Sequence, residues 1–149
     1  MKLGLHIAAS EWRGGAERLG GTLAAAVEAA ETAGFDAISV TDHVWGTQYT
    51  GGVEASQIEA YTTLAFIAAR TNRVRLLTLA TATSYRHAGL LAKSVTTLDV
   101  LSGGRAMLGI GAGDYAEEAE GLGLPFPPVT ERYELLEETV QACLRMWQG

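Results

Sequence analysis

The sequence predicts an α/β fold in which four β-strands alternate with four α-helices. Short apolar runs alternate along the chain with longer segments whose apolar residues recur at helical spacing. Because a helix separates each pair of successive strands, the strands are expected to lie parallel, with right-handed crossovers. This pattern leaves two architectures open, an open doubly wound sheet and part of a β/α barrel. In both, ligands bind at the carboxyl ends of the strands.

The strands are predicted by four short apolar runs, which suit strands that are buried on both faces of a sheet. They cover residues 3–8, 37–41, 74–80 and 106–111. The polar stretch 42–52, after the second strand, is too long for a minimal turn and is a candidate functional loop. We find no linker or low-complexity tract, so residues 1–149 are expected to form a single domain.

The helices are predicted over residues 22–33, 58–70 and 89–101, and from about residue 130 onward. Thr22 is the expected N-cap of the first helix, and Gly34 is its expected C-terminal stop. The last helix carries one apolar stripe, formed by Tyr133, Leu136, Val140, Leu144 and Trp147. Cys143, which lies beside this stripe, is expected to be a buried small residue rather than a nucleophile.

The composition favours a cytoplasmic protein that acts on small molecules. The formal net charge is -6, and no cluster of lysine and arginine offsets it, which argues against binding to nucleic acid. No apolar stretch reaches membrane-spanning length, and no signal peptide is expected. The single cysteine cannot form an internal disulfide and suits a reducing compartment.

The sharpest functional feature is the pair Asp42-His43, directly after the second predicted strand. A histidine at this position can act as a general acid or base, because imidazole titrates near neutral pH. Asp42 could hydrogen-bond a ligand or a neighbouring backbone amide. The alternative is an Asx-type cap on the strand end beside a solvated His43. The position at a strand's carboxyl end favours the functional interpretation.

The turn at residues 109–114 resembles a phosphate-binding glycine loop, since glycines let backbone N–H groups approach an anion and a following helix adds positive potential. Its Gly-x-Gly-x-Gly spacing is not the dinucleotide fingerprint. A tight strand-to-helix turn that requires small residues is an equally good interpretation. Asp114 lies where a phosphate would sit, which disfavours an anion site. An acidic stretch, residues 116–120, follows the turn.

The other histidines carry weaker signals. His6, inside the first strand, is expected to be a satisfied interior histidine. His87 either lines the same edge of the sheet or only starts the third helix. The spacing of the three histidines and one cysteine predicts no metal site.

Several longer segments together resemble the luciferase-like monooxygenase family, across essentially the whole chain. The matching segments are residues 35–43, 85–87, 90–93, 98–105, 108–113 and 123–128, followed by Arg132. The pattern is most similar to the branch that uses the deazaflavin coenzyme F420, although the FMN-using branch shares much of it. The resemblance implies oxidoreductase chemistry, either hydride transfer or monooxygenation, on a (β/α)8 barrel.

The same resemblance implies roles for individual residues. His43 would be the catalytic acid or base. The implied cofactor-binding residues are Asp42, Thr78, Leu79, Ala112, Gly113 and Asp114. In the family, a non-prolyl cis peptide often supports the ring at the end of strand three, and here it would fall at Thr78–Leu79. The chain departs from the family at Ala88, where proline is common, and at Asp114, where tryptophan or glutamate is common.

The chain length implies half of a (β/α)8 barrel, because a full barrel needs about 250 residues. Four parallel strands would leave open edges and exposed apolar surface, which favour self-association, most simply of two halves. Two functions are therefore considered. One is an F420- or FMN-dependent oxidoreductase that acts on a small-molecule substrate and whose barrel is completed by self-association. The other is a non-catalytic half-barrel that self-associates and at most binds a flavin weakly.

Overall fold

The computed structural model describes residues 1–8, 14–48 and 50–148 and has the predicted alternation of strands and helices. The strands are β1 (Gly4–Ile7), β2 (Ala37–Val40), β3 (Arg75–Thr78), β4 (Thr81–Ala82) and β5 (Ile110–Gly111). The helices are α1 (Ala16–Thr32), α2 (Ala60–Ala68), α3 (Ala88–Ser102), α4 (Ala116–Gly121) and α5 (Val129–Gln148). None of the helices in these ranges is both long enough and apolar enough to span a membrane.

All strand pairs run parallel, as the sequence predicts. β1, β2 and β3 form one sheet in that order, and Ile38 of β2 pairs with Leu5 on one side and Leu76 on the other. β4 and β5 form a second parallel pair, in which Thr81 lies opposite Ile110. A single bridge between Leu76 and Ala106 links the first sheet to the segment before β5. The α/β class is confirmed, and the half-barrel stays a prediction.

The third predicted strand, residues 74–80, is divided in the structure. β3 ends at Thr78 and β4 begins at Thr81, with a non-prolyl cis peptide bond between Leu79 and Ala80. The prediction of a cis peptide at Thr78–Leu79 is therefore wrong by one residue. The fourth predicted strand is also shorter than expected, since only the bridge at Ala106 and the two residues of β5 pair with neighbours.

The first helix starts six residues earlier than predicted, at Ala16, so Thr22 lies inside it and is not its N-cap. Side chains on one face of this helix, including Leu23 and Val27, are buried in the core, and this packing outweighs the low helix propensity of the glycines in its early turns. The predicted stop is confirmed, because the helix ends at Thr32 and Gly34 takes a left-handed φ of 94°.

The main core lies between the first sheet and helices α1, α2 and α3, around Ile38, Leu64 and Leu76, which are fully buried. A second cluster joins α3 to α5 and includes Cys143, which is buried as predicted. The apolar stripe of α5 is only partly covered: Tyr133 is 62% exposed and Trp147 41% exposed. The helix packs through the face that carries Thr139 and Cys143.

Gly109 lies at a close approach of two backbone segments near the site. Its carbonyl accepts hydrogen bonds from the Thr78 hydroxyl at 2.7 Å and from the Thr81 amide at 3.0 Å. A Cβ at Gly109 would lie 1.8 Å from the backbone oxygen of Thr78. No side chain fits in this space without moving β3 away from the segment before β5.

We therefore expect Gly109→Ala to lower the free energy of unfolding by about 2–3 kcal/mol, the cost of forced overpacking. Urea denaturation followed by circular dichroism measures this change. Gly111→Ala is the matched control, because its Cβ would meet Ala80 at an ordinary 3.7 Å. Equal stability of the two variants would contradict the close approach.

Candidate active site

A cleft of about 380 Å³ lies at the carboxyl ends of the strands, where the parallel topology brings the segments after β2, β3 and β5 together. It is lined by Asp42, His43, Leu79, Ala80, Thr81, Ala82, Tyr85, Gly111, Ala112, Gly113, Asp114 and Tyr133. Six of the seven residues predicted for the site are in this lining. The volume falls within the range typical of small-molecule pockets.

Thr78 is the predicted site residue that does not line the cleft. Its side chain is 1% exposed, and its hydroxyl bonds to the Gly109 carbonyl and to the Thr81 hydroxyl, at 2.7 and 2.9 Å. The Thr81 hydroxyl in turn bonds to the hydroxyl of Tyr61 at 2.9 Å. Thr78 therefore lies below the cleft and fixes the strand ends that form its floor.

Asp42 is buried and bound by Arg86. The two terminal guanidinium nitrogens of Arg86 donate to both carboxylate oxygens of Asp42, the longer contact at 2.9 Å, and Nη2 also donates to Glu59 at 2.7 Å. The guanidinium lies 4.9 Å from the centre of the Tyr61 ring. Burial opposes the charge on Arg86, but the hydrogen bonds and charges of Asp42 and Glu59 hold its pKa above the ordinary value. Asp42 thus forms an ion pair that fixes the loop carrying His43.

Glu118, on helix α4, is the central buried carboxylate of the site, with a fully buried side chain. One oxygen, Oε2, accepts a hydrogen bond from His43 Nδ1 at 2.6 Å and a short one from the Tyr85 hydroxyl. The other, Oε1, accepts a short hydrogen bond from the Val44 amide and a 3.3 Å one from the Trp45 amide. One carboxylate therefore joins α4 to the loop after β2 and the segment after β4.

These contacts set the charge of Glu118. Burial favours its neutral form, but hydrogen bonds from His43, Tyr85 and the Val44 amide outweigh that effect and hold the pKa of the carboxyl below its ordinary value. Burial, together with the hydrogen bond to Glu118, raises the pKa of Tyr85. At neutral pH, Glu118 is therefore a carboxylate and Tyr85 a protonated donor.

His43 stands at the edge of the cleft with its side chain 25% exposed. Because Nδ1 contacts Glu118, the free ring nitrogen is Nε2, and no residue in the described part of the chain hydrogen-bonds to it. The ring of Tyr115 meets the imidazole edge-on, with the ring centres 6.1 Å apart. His43 thus has the geometry of an acid or base whose exchangeable position is Nε2.

Sequence reasoning missed Glu118 and assigned it only to an acidic stretch. Glu117 and Glu120, its neighbours on α4, are exposed, whereas Glu118 and the adjacent Ala119 are fully buried. The sequence of α4 carries no signal that separates Glu118 from these neighbours, because its contacts come from residues 43–45 and from Tyr85. The sequence indicates Tyr85 only through the family resemblance and Tyr133 only through the apolar stripe of the last helix.

The glycine turn takes a tight conformation that suits a close approach of backbone to a ligand. Gly113 has a φ of 79°, and a Cβ there would lie 3.3 Å from Ala82. Its carbonyl accepts a short hydrogen bond from Arg132, whose guanidinium packs 4.2 Å from the centre of the Phe126 ring. The helix that follows, α4, has only six residues and carries Glu117 and Glu118 in its first turn, and these acidic residues oppose the positive potential expected there.

The other histidines lie outside the cleft. The Nδ1 atom of His6 is 2.9 Å from the Ser39 hydroxyl, but the residue is exposed, so its prediction as an interior histidine is wrong. His87 is the N-cap of α3, and its ring accepts a 3.2 Å hydrogen bond from the Gly89 amide. Within residues 1–8, 14–48 and 50–148, no group of three or more histidine, cysteine or acidic side chains is placed to hold a metal ion.

Comparison with known proteins identifies relatives that use F420. The chain is 40% identical over 121 residues to an F420-dependent glucose-6-phosphate dehydrogenase of Beutenbergia cavernae, a match that covers 80% of this chain and 35% of that protein. The enzyme of the same name from Nakamurella multipartita is 34% identical over 140 residues, covering 93% and 40%. The chain thus spans well under half the length of these relatives.

Solved structures show the same fold. The monooxygenase RslO1 from Streptomyces bottropensis superposes with a TM-score of 0.80 at 27% identity, covering 100% of this chain and 44% of that one. An F420-dependent secondary alcohol dehydrogenase, solved with an F420-acetone adduct, gives a TM-score of 0.80 at 21% identity, covering 99% and 42%. The sequence profile of luciferase-like monooxygenases matches residues 1–149. The chain belongs to the luciferase-like monooxygenase family.

Proposed function

We propose that this chain forms the coenzyme-binding and proton-transferring part of an F420-dependent oxidoreductase. The observation that carries this proposal is His43, which stands at the edge of a strand-end cleft with Nδ1 bound to a buried carboxylate and Nε2 free. The curated relatives at 40% and 34% identity are F420-dependent dehydrogenases, which favours hydride transfer over monooxygenation and F420 over FMN.

The cleft suits a flat, polar-edged ring system. Its floor is formed by backbone around the Leu79–Ala80 bond, and the Leu79 side chain is 56% exposed. Beside it, where Gly111 pairs with Ala82, the turn from Gly111 to Gly113 presents main chain without bulky side chains. We infer that Leu79, Ala112, Gly113 and Asp114 would contact the coenzyme, with Asp42 beside it and Thr78 supporting the floor from below.

The coenzyme, when bound, supplies a hydride donor or acceptor at its ring. The chain's own contribution is placement and proton transfer. When a substrate hydroxyl is oxidised, Nε2 of His43 accepts its proton; in the reverse direction Nε2 returns it. Glu118 balances the positive charge on the protonated imidazole, because the two groups are already in hydrogen-bond contact at 2.6 Å.

Coenzyme binding is tested by titrating the protein with F420 while following fluorescence. We expect saturable binding that weakens at least about tenfold in Gly113→Val, because a β-branched side chain at a φ of 79° strains the turn and its Cβ crowds Ala82. Gly123→Val is the matched control: Gly123 also has a positive φ, of 68°, but lies outside the cleft lining, and its Cβ would meet nothing within 4 Å.

Two results of this titration would contradict the proposal. Absence of binding at millimolar F420 would favour the non-catalytic alternative, a self-associating half-barrel. Tighter binding of FMN than of F420 would overturn the choice of coenzyme. If Gly113→Val and Gly123→Val lose binding equally, the loss results from general backbone strain and not from a change in the cleft.

We also propose that the chain self-associates, most simply as a dimer. The described part of β1 pairs only with β2, so its other edge has no strand partner among the described residues. Large apolar side chains are exposed near the outer strands, among them Leu3 at 48% and Met107 at 43%. Open strand edges and exposed apolar side chains both favour association.

Size-exclusion chromatography with light scattering is expected to give at least twice the monomer mass at micromolar concentration. Leu3→Glu should shift the chain toward monomer, because it places a charge beside the open edge of β1. Val53→Glu is the control, since Val53 is similarly exposed, at 58%, but lies in the loop between β2 and α2. A monomer at all concentrations would refute self-association.

A further inference from the structure

We propose that Glu118 and Tyr85 are positioning residues that act on His43 in opposite ways through one shared carboxylate oxygen. Glu118 holds the proton on Nδ1 of His43, and the Tyr85 hydroxyl competes with Nδ1 for the same oxygen. The inference deepens the proposed function, on which its catalytic meaning rests. Neither residue needs to contact the substrate for this role.

One oxygen atom of Glu118 connects the two side chains. Glu118 Oε2 receives both side-chain donors, His43 Nδ1 at 2.6 Å and the Tyr85 hydroxyl, whereas Oε1 receives the two backbone donors. Because the Glu118 side chain is fully buried, water does not compete for either oxygen. When two donors bind the same acceptor atom, they share its negative charge. Each donor therefore weakens the hydrogen bond that the oxygen forms with the other donor.

The direction of each effect follows from this sharing. A carboxylate in contact with an imidazole favours the protonated ring. The Tyr85 hydroxyl withdraws part of that negative charge and so disfavours the protonated ring. Removing the charge at Glu118 should therefore lower the proton affinity of His43, whereas removing the hydroxyl at Tyr85 should raise it.

The hydrogen-bond donors are fixed by the chemistry of the acceptor. A carboxylate only accepts, so the Nδ1 atom bound to Glu118 must carry a proton, and Nε2 is the atom that gains or loses one. The lowered pKa of Glu118 keeps this arrangement at neutral pH, and the raised pKa of Tyr85 keeps its hydroxyl protonated. Both partners therefore act on Nε2 through the ring rather than by exchanging protons themselves.

Other charged or titratable groups face His43 and remain in place in the variants used below. The Tyr115 ring meets its edge, and Asp114 and Tyr133 line the same cleft. Asp42, the preceding residue, is paired with Arg86, which also pairs with Glu59. Since these groups are common to all variants, differences between variants report the Glu118 and Tyr85 contacts.

The test is an NMR titration of the His43 ring in the protein without coenzyme, with the His43 signal assigned by its loss in His43→Gln. We expect the pH midpoint to fall by about one unit or more in Glu118→Gln and to rise by a few tenths in Tyr85→Phe. Glu120→Gln is the control and should leave the midpoint unchanged, because Glu120 is an exposed glutamate of the same helix.

Shifts in the same direction, or no shift in Tyr85→Phe, would overturn the inference, since a merely structural role predicts no opposed pair. If Glu118→Gln does not fold, as judged by near-UV circular dichroism, the upward shift in Tyr85→Phe decides alone. The titration needs no coenzyme, so it stands whether or not F420 binds. Failure of F420 binding with opposed shifts would refute the proposed function only.

Discussion

The site depends on one buried carboxylate. Glu118 joins the loop after β2, the segment after β4 and helix α4, and these segments are separated by up to 75 residues in the chain. Removing such a charge from water costs several kcal/mol, which only well-formed hydrogen bonds can offset. Here two side-chain and two backbone donors fill both oxygens. The arrangement therefore stabilises one orientation of His43 at the edge of the cleft.

A second ion pair supports the first. The guanidinium of Arg86 holds Asp42 through both carboxylate oxygens, and Asp42 directly precedes His43. Tyr85 and Arg86 are neighbours, so the same short segment supplies one partner to Glu118 and another to Asp42. The backbone of residues 42–45 is thereby fixed from two sides. Below it, Thr78 and Gly109 keep the strand ends close enough to form a floor.

The sequence was a good guide to the fold and to the position of the site. Alternating strand and helix patterns predicted the parallel α/β architecture, and the rule that ligands bind at strand ends located the cleft. Where local propensity competed with packing, prediction failed. α1 extends through Gly20 and Gly21 because its buried face compensates for them, and α5 buries Thr139 and Cys143 more fully than its most apolar stripe.

The residue that organises the site was the hardest to predict. Glu118 lies in a run of acidic residues, and only tertiary contacts distinguish it from Glu117 and Glu120. Its partners come from distant parts of the chain, so no local spacing reveals them. Asp42 and His43, in contrast, directly follow a buried strand, where topology alone indicates a functional position. Functional positions at strand ends can thus be predicted from sequence, whereas the residues that orient the side chains at those positions cannot.

The central claim is that a buried carboxylate fixes the His43 ring with its proton on Nδ1 and leaves Nε2 free toward the cleft. Nitrogen-15 NMR of the imidazole, recorded above the titration of the ring, reports directly which ring nitrogen carries the proton. We expect His43 to carry its proton on Nδ1, held by Glu118, and to have no proton on Nε2. A ring protonated at Nε2, or an equal mixture of the two tautomers, would contradict it.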